Sequence, residues 1–135
     1  MPLFDTTYNK RTIREAINAL AGAPIPFWKR ITQGGIGSRR MIIEQKSDFF
    51  APYTNADHYL TYSNIELRPK AIIVHIHKTL DNFAWVLPFE QFTITALGSH
   101  LQINSENMFL LFRDGYRINQ AFLQKVQSLQ ADFKA

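Results

Sequence analysis

The second half of the chain is a succession of short segments in which apolar and polar residues alternate, each ended by a turn. The segment 70–78 shows the pattern most clearly, because neighbouring side chains of a β-strand point to opposite faces. One face carries Ile72, Val74 and Ile76, and the other carries Ile73, His75 and His77. Many short strands joined by tight turns favour an antiparallel sandwich or barrel over alternating βαβ units.

The alternation predicts about seven strands in all. They are the segments 27–32, 40–46, 58–68, 70–78, 83–95, 100–104 and 108–113. A glycine-rich turn at 33–38 is predicted to join the first two strands into a hairpin. Residues 47–57, which include Pro52, are predicted to form a loop before the third strand.

A helix is predicted at each end of this strand region. The first covers 8–21, where apolar residues recur at helical spacing, and Gly22 with the prolines that follow ends it. The second covers 116–133 and is predicted to dock on the strands through one apolar stripe. The stripe consists of Ile118, Phe122, Val126, Leu129 and Phe133.

A chain of 135 residues, 46% of them apolar, matches the size and composition of a single folded domain. We expect residues 1–26 to be a helical extension and residues 27–135 to form the β region with its closing helix. The sequence has no cysteine, which excludes a disulfide framework, a thiolate zinc site and a cysteine nucleophile. No cofactor is predicted.

The N-terminal segment lacks the basic start and apolar core of a secretory signal, and no apolar stretch approaches the roughly 20 residues that span a bilayer. We therefore expect a cytoplasmic protein without a transmembrane segment. The formal net charge of +4 comes from basic residues that are scattered along the chain. Nucleic-acid binders cluster such residues on one face, so a nucleic-acid partner is disfavoured.

The order of segments between residues 58 and 133 includes one distinctive step. It is Trp85-Val86-Leu87-Pro88-Phe89-Glu90-Gln91-Phe92, in which a tryptophan is followed by an aliphatic–proline pair and an acidic turn before the next strand. With the single C-terminal helix, this order resembles the pleckstrin-homology-like (PH-like) fold of bacterial proteins. The resemblance implies an antiparallel barrel capped by that helix, with the N-terminal helix as an addition. It implies no particular ligand, because this scaffold hosts many unrelated roles.

The glycine hairpin is the first candidate site. Successive N–H groups of a glycine turn can cradle an anion, and flanking cations can bond phosphate oxygens. The candidate residues are Lys29, Arg30, Gly34, Gly35, Gly37, Ser38, Arg39 and Arg40. In eukaryotic relatives of the resembled fold, phosphoinositide headgroups bind around the first hairpin. The alternative is an ordinary turn with solvated charges, since glycine commonly punctuates hairpins.

The pair His75 and His77 is the second candidate site, because alternation places both imidazoles on one face of a strand, where they could ligate a metal. Two ligands do not complete a site. Further ligands would have to converge from other strands, with His58, His100, Glu66 and Glu90 as the candidates. The alternative is a solvent-facing pair without a metal.

An aromatic loop at 49–53 is the third feature, because Phe49 and Phe50 are adjacent and cannot both point inward. An exposed aromatic side chain there would suit a partner surface or a homodimer contact.

No segment carries a hydrolase elbow, a His-Glu-x-x-His zinc motif or a phosphate loop, so the sequence favours a binding role over catalysis. The leading hypothesis is a PH-like binding or scaffold module for a protein, peptide or small anionic ligand. One alternative is a metal-binding protein or metal-dependent enzyme that uses His75 and His77. The other is a binder of phosphate or of phospholipid headgroups at the basic hairpin, which would allow peripheral membrane contact.

Overall fold

The computed structural model describes residues 3–26, 36–56 and 59–134. The strands are β1 Leu3–Asp5, β2 Met41–Lys46, β3 Tyr62–Leu67, β4 Ala71–Lys78, β5 Asp81–Pro88, β6 Thr93–Leu97, β7 His100–Ser105 and β8 Met108–Arg113. The α-helices are α1 Arg11–Ala21, α2 Gly115–Ile118 and α3 Gln120–Lys134, and the 3₁₀ turns are Asp48–Tyr53 and Phe89–Gln91. None of the described helices is both long and apolar enough to cross a bilayer.

The strands form one antiparallel sheet in the order β1-β5-β4-β3-β2-β8-β7-β6. Two meanders, β2 to β5 and β6 to β8, are joined where β2 pairs with β8. The mainly β prediction with a helix at each end is confirmed. The sheet ends at β1 and β6, so the described strands form an open sheet and not a closed barrel.

Strands β4 and β5 are buried on both faces. On one face, Ile72, Val74 and Ile76 belong to the main core, which α3 covers with the buried side chains of Leu123 and Val126. On the opposite face, α1 packs against the sheet, and a second, smaller core forms there. Its buried members are Ile17, Ala21, Ala71, Ile73, Ala84 and Val86. The N-terminal helix therefore packs on its own sheet.

The predicted strand 83–95 is wrong as a single element, because the 3₁₀ turn Phe89–Gln91 divides it into β5 and β6. Phe89 and Phe92 are three positions apart and both buried. In a continuous strand, residues with that spacing would point to opposite faces, so the turn is what brings both rings into the main core. Pro88, which has no N–H to donate, ends β5.

The two terminal helices also differ from their predicted bounds. Asn9 has a φ of 49°, which is left-handed and incompatible with a helix, so α1 begins only at Arg11. At the C-terminus, Asn119 separates α2 from α3: its side-chain amide donates to Gly115 O, and its Oδ1 accepts from the main-chain N–H of Arg39. The side chain thereby ties the helix break to the segment before β2. Phe133, placed on the apolar stripe by sequence, is 51% exposed.

Three further differences concern short segments. Strand β1 was not predicted, since three residues are too few to show alternation. The 47–57 loop contains a 3₁₀ turn, and β3 begins at Tyr62 and not at residue 58. The predicted strand 27–32 and residues 33–35 of the glycine turn lie outside the described residues. The prediction for adjacent aromatics is confirmed, because Phe50 is fully buried whereas Phe49 is 39% exposed.

Gly115 is packed too closely for a side chain. A Cβ at this position would lie 2.9 Å from Leu101 Cβ and 2.9 Å from Met41 Sδ. We expect Gly115→Ala to lower the free energy of unfolding by about 1–3 kcal/mol, because the core must shift to accept the methyl group. Urea unfolding midpoints would measure the change.

Gly37→Ala is the matched control, because its Cβ would meet only Ile65 O, at 3.7 Å. It should change the unfolding free energy by no more than about 0.5 kcal/mol. Equal midpoints for the two variants would contradict the packing argument.

Candidate functional site

A row of polar side chains lies on the sheet face that also carries α1. We call it the histidine row, and it consists of Asn64, Glu66, His75, His77 and Asn82. The strand register assembles it, since Asn64 lies opposite His75 and His77 lies opposite Asn82. Side chains on one face of paired strands are close enough to interact, so residues far apart in sequence meet here.

His77 is held on both sides by asparagine side chains. Its Nδ1 lies 2.7 Å from Asn82 Oδ1, and its Nε2 lies 2.9 Å from Asn64 Oδ1. A neutral imidazole offers one donor and one acceptor. Either one amide therefore turns its NH₂ group toward the ring, or the ring carries both protons. In each case both ring nitrogens are occupied by hydrogen bonds.

His75 and Arg68 share the carboxylate of Glu66. The Nε2–H of His75 donates to Oε1 over 2.8 Å, and Arg68 Nε donates to Oε2 over 2.5 Å. Arg68 is only 9% exposed, and its Nη1 also donates to Asn18 Oδ1 and to Gly22 O. A cation at the carbonyl end of a helix is favourable, so Arg68 fastens the end of α1 to β3.

The pKa of Glu66 reflects two opposing influences. Burial raises it, but hydrogen bonds from His75 and Arg68, with the positive charge of Arg68, outweigh burial and hold the pKa below its ordinary value of 4.5. Glu66 is therefore ionised in the folded protein near neutral pH. The row has a fixed negative charge that is already matched by Arg68.

The structure places His75 and His77 on one face, as predicted, but gives each a hydrogen-bonding role. Among residues 3–26, 36–56 and 59–134, no three His, Asp or Glu side chains are grouped so that they could hold a metal ion. His100 lies elsewhere and accepts from the main-chain N–H of Asp114 through Nδ1. Metal binding at His75 and His77 stays a prediction, without a third ligand in this part of the chain.

The glycine hairpin is described only in part, since Lys29, Arg30, Gly34 and Gly35 lie outside the described residues. Ser38 and Gly37 extend the sheet along β3: Ser38 N–H donates to Ile65 O, and Gly37 bridges to Glu66. The Ser38 hydroxyl accepts from Ile65 N–H and donates to Arg39 O. These groups are used within the fold, so they offer little to an anion.

Arg39 and Arg40 are placed differently. The main chain of Arg39 is held by Asn119, whereas the guanidinium carbon of Arg40 lies 4.1 Å from the centroid of the Tyr62 ring. This is a cation–π contact, and it restrains the position of the guanidinium. Of the four hairpin candidates that are described, Arg40 is the one that lines the pocket considered next.

This pocket, which we call the Arg40 pocket, is an open concavity of about 460 Å³. Its lining consists of Arg40, Asn55, Leu60, Tyr62, His77 and Thr79. No carboxylate is among these described lining residues. The sequence singled out Arg40 and His77 among these residues, but as members of two different candidate sites. Nothing in the sequence pointed to the other four, because the lining comes from three separate segments that the fold brings together.

The polar groups of the Arg40 pocket are held in place by hydrogen bonds. Thr79 Oγ1 donates to Asn55 Oδ1 over 2.9 Å, and Asn55 Nδ2 donates to Leu60 O over 3.0 Å. His77 is fixed by its two asparagines. Leu60, 48% exposed, adds an apolar wall. The pocket thus combines one cation, two aromatic rings and fixed polar groups.

A second open pocket of about 480 Å³ lies between β2 and the loop before β3. Its lining has both charges, including Glu44, Lys46 and Asp48. Glu44 is already paired with Arg113 over 2.6 Å. Because its charges are mixed, this pocket indicates no particular ligand chemistry.

Arg68→Met tests the link between α1 and β3. Removing one partner of a buried ion pair leaves the other charge unmatched, so we expect the free energy of unfolding to fall by about 3 kcal/mol. Arg113→Met is the matched control, because its pair with Glu44 is 46% and 35% exposed and should contribute less than about 1 kcal/mol. Urea unfolding of both variants measures the difference. Similar losses in the two would contradict the role of Arg68.

Glu66 makes stability depend on acid pH. Its pKa is lower in the folded state than its ordinary value of 4.5, so its contribution is fully present above pH 4.5 and is lost as the pH falls through the folded-state pKa. We expect the free energy of unfolding to decrease below pH 4.5, and to decrease less steeply in Glu66→Gln. Parallel curves for the two proteins, measured by chemical unfolding across the pH range, would count against this assignment.

Comparison of the chain with protein-family models, with curated proteins and with solved structures finds no match. The resemblance to PH-like proteins therefore rests on the order of segments along the chain.

Proposed function

We propose that this protein is a noncovalent binding module that holds a small anionic ligand, a carboxylate or a phosphate, in the Arg40 pocket. The observation that carries the proposal is the guanidinium of Arg40, stacked on Tyr62 beside a pocket whose described lining has no carboxylate. No carboxylate in the described part of the chain pairs with Arg40, which leaves its charge for a ligand. The proposal narrows the anion-binding hypothesis for the glycine hairpin to one of its residues.

The geometry of Arg40 suits recognition of planar oxyanions. The guanidinium carbon lies over the Tyr62 ring, and this contact leaves guanidinium N–H groups that can donate to a ligand. Two parallel N–H groups match the spacing of two carboxylate or phosphate oxygens, and charge-assisted bonds of this kind are stronger than neutral ones. Because the stack fixes the side chain in advance, less conformational entropy is lost when a ligand binds.

The neighbouring side chains add selectivity. Thr79 and Asn55 present polar atoms that are fixed by their mutual hydrogen bond, and Leu60 offers an apolar contact. Pockets for small molecules commonly combine a few placed polar groups with apolar walls. A ligand with an anionic head and a small apolar or ring-shaped body would use all of these contacts.

The scaffold proposal is a PH-like fold. What supports it is the order of elements: strands β2 to β5, then β6 to β8, then a C-terminal helix over the main core. The pairing of β2 with β8 joins the two meanders. Three features depart from the resembled pattern. The sheet is open where the pattern has a barrel, and strand β1 and helix α1 would be additions before β2.

Calorimetric titration tests the binding proposal, with inorganic phosphate, citrate and inositol 1,4,5-trisphosphate as probes. We expect at least one probe to bind, with weaker binding at higher salt because the contact is ionic. Arg40→Met should weaken that binding by about tenfold or more, since about 1.4 kcal/mol corresponds to a factor of ten. Methionine keeps an unbranched side chain over Tyr62 while it removes the charge.

Arg39→Met is the matched control, because Arg39 is adjacent, exposed and not part of the pocket lining. It should leave the dissociation constant within about twofold. If both variants lost the same binding affinity, the anion would be held by the general positive charge of the hairpin and not by the Arg40 pocket. Failure of all three probes to bind at about 10 mM would overturn the proposal.

A further inference from the structure

Strand β6 is one edge of the sheet that the described strands form. The opposite edge, β1, is only three residues long and ends at Asp5, two features that discourage pairing with another chain. Strand β6 has five residues, Thr-Ile-Thr-Ala-Leu, without charge or proline, and all but Ile94 are exposed. Its one extensive neighbour among the described elements is β7. No strand in the described part of the chain pairs with its outer backbone groups, so there they are open to a further strand.

The hairpin between β6 and β7 shows which backbone groups point outward. Leu97 pairs with His100 across the two-residue loop Gly98-Ser99, and Gly98 has a φ of 63° as in a type II′ turn. The residues that flank such a loop exchange both backbone hydrogen bonds, and bonded pairs then alternate with non-bonded pairs. Ile94 and Ala96 therefore occupy non-bonded positions, with their N–H and C=O groups directed away from β7.

We propose that β6 pairs antiparallel with β6 of a second copy of this chain, about a two-fold axis through Thr95. In this register, Ile94 of one copy lies opposite Ala96 of the other, and the two exchange their outward N–H and C=O groups. In this register, the outward N–H and C=O groups of Ile94 and Ala96 are hydrogen-bonded in both copies. The two sheets become one continuous sheet across an isologous interface.

The edge is complementary to itself in side chains as well as in backbone. Thr95 meets its own copy on the axis, and Thr93 lies opposite Leu97, so no like charges are brought together within the strand. β-Branched side chains such as these threonines are well suited to cross-strand pairs.

The self-complementary side chains of β6 favour a second copy as the occupant, and the charges at its two ends do not oppose this pairing. The antiparallel arrangement brings the end that follows exposed Glu90 beside the turn end of the other copy. At that turn, Ser99 O accepts from the main-chain N–H of Arg117, whose side chain is 63% exposed and only loosely paired with Asp114, at 3.5 Å. The same turn holds Asp114, which accepts from the Ser99 hydroxyl at 2.8 Å, so this end carries a charge pair and no net charge that would repel Glu90.

Sedimentation equilibrium of the full chain tests the pairing, with a dimer expected at twice the monomer mass of 15.6 kDa. Ala96→Pro removes an outward N–H that does not bond β7, so it should weaken the dimer by about tenfold or more while the hairpin is kept. Ala96→Ser retains that N–H at the same exposed site and should leave the dimer unchanged. Far-UV circular dichroism of each variant checks that the fold is kept.

A charge pair on the axis gives a second, independent test. Thr95→Lys and Thr95→Glu each place like charges together on the axis and should each be monomeric, whereas an equimolar mixture should form a heterodimer. A dimer that forms in the mixture would also show that both variants are folded. A wild-type chain that stays monomeric at about 100 µM would overturn the proposal. So would a dimer that survives both Ala96→Pro and Thr95→Lys, since its interface would then lie elsewhere.

Discussion

Burial of β4 and β5 on both faces is the constraint on which the rest of the structure depends. An antiparallel sheet often leaves one face to water, but here apolar side chains on the second face require a cover, and α1 supplies it. Arg68 then fastens α1 to β3 through Asn18 and Gly22. The histidine row occupies the part of the same face where polar side chains replace apolar ones.

Much of the sheet could be predicted from the sequence, because alternation is a local signal that needs no knowledge of partners. Strands β2, β4, β7 and β8 begin and end within one residue of their predicted bounds. The errors arose where packing overrode the local pattern. Phe89 and Phe92 both reach the core only if the strand breaks, and the Asn119 side chain bonds across the helix that it interrupts.

The candidate site was less predictable, because it depends on which strands are neighbours and in what register. Alternation alone placed His75 and His77 on one face, yet their partners Asn64, Glu66 and Asn82 come from other strands. Arg40 was singled out for its charge, whereas its role in the pocket comes from the ring of Tyr62. Contacts between residues that are far apart in the sequence leave no periodic pattern in a single sequence.

The pairing of early with late segments has a consequence for the order in which the chain can fold as it is synthesised. Strand β1 can pair only after β5 has been made, and β2 can form its longer pairing only after β8 has been made. The meander from β3 to β5, by contrast, needs only local turns. Local contacts form faster than distant ones, so this meander is the natural nucleus on a ribosome. Helix α1 is made before β4 and β5 but can dock only when both of these strands are present.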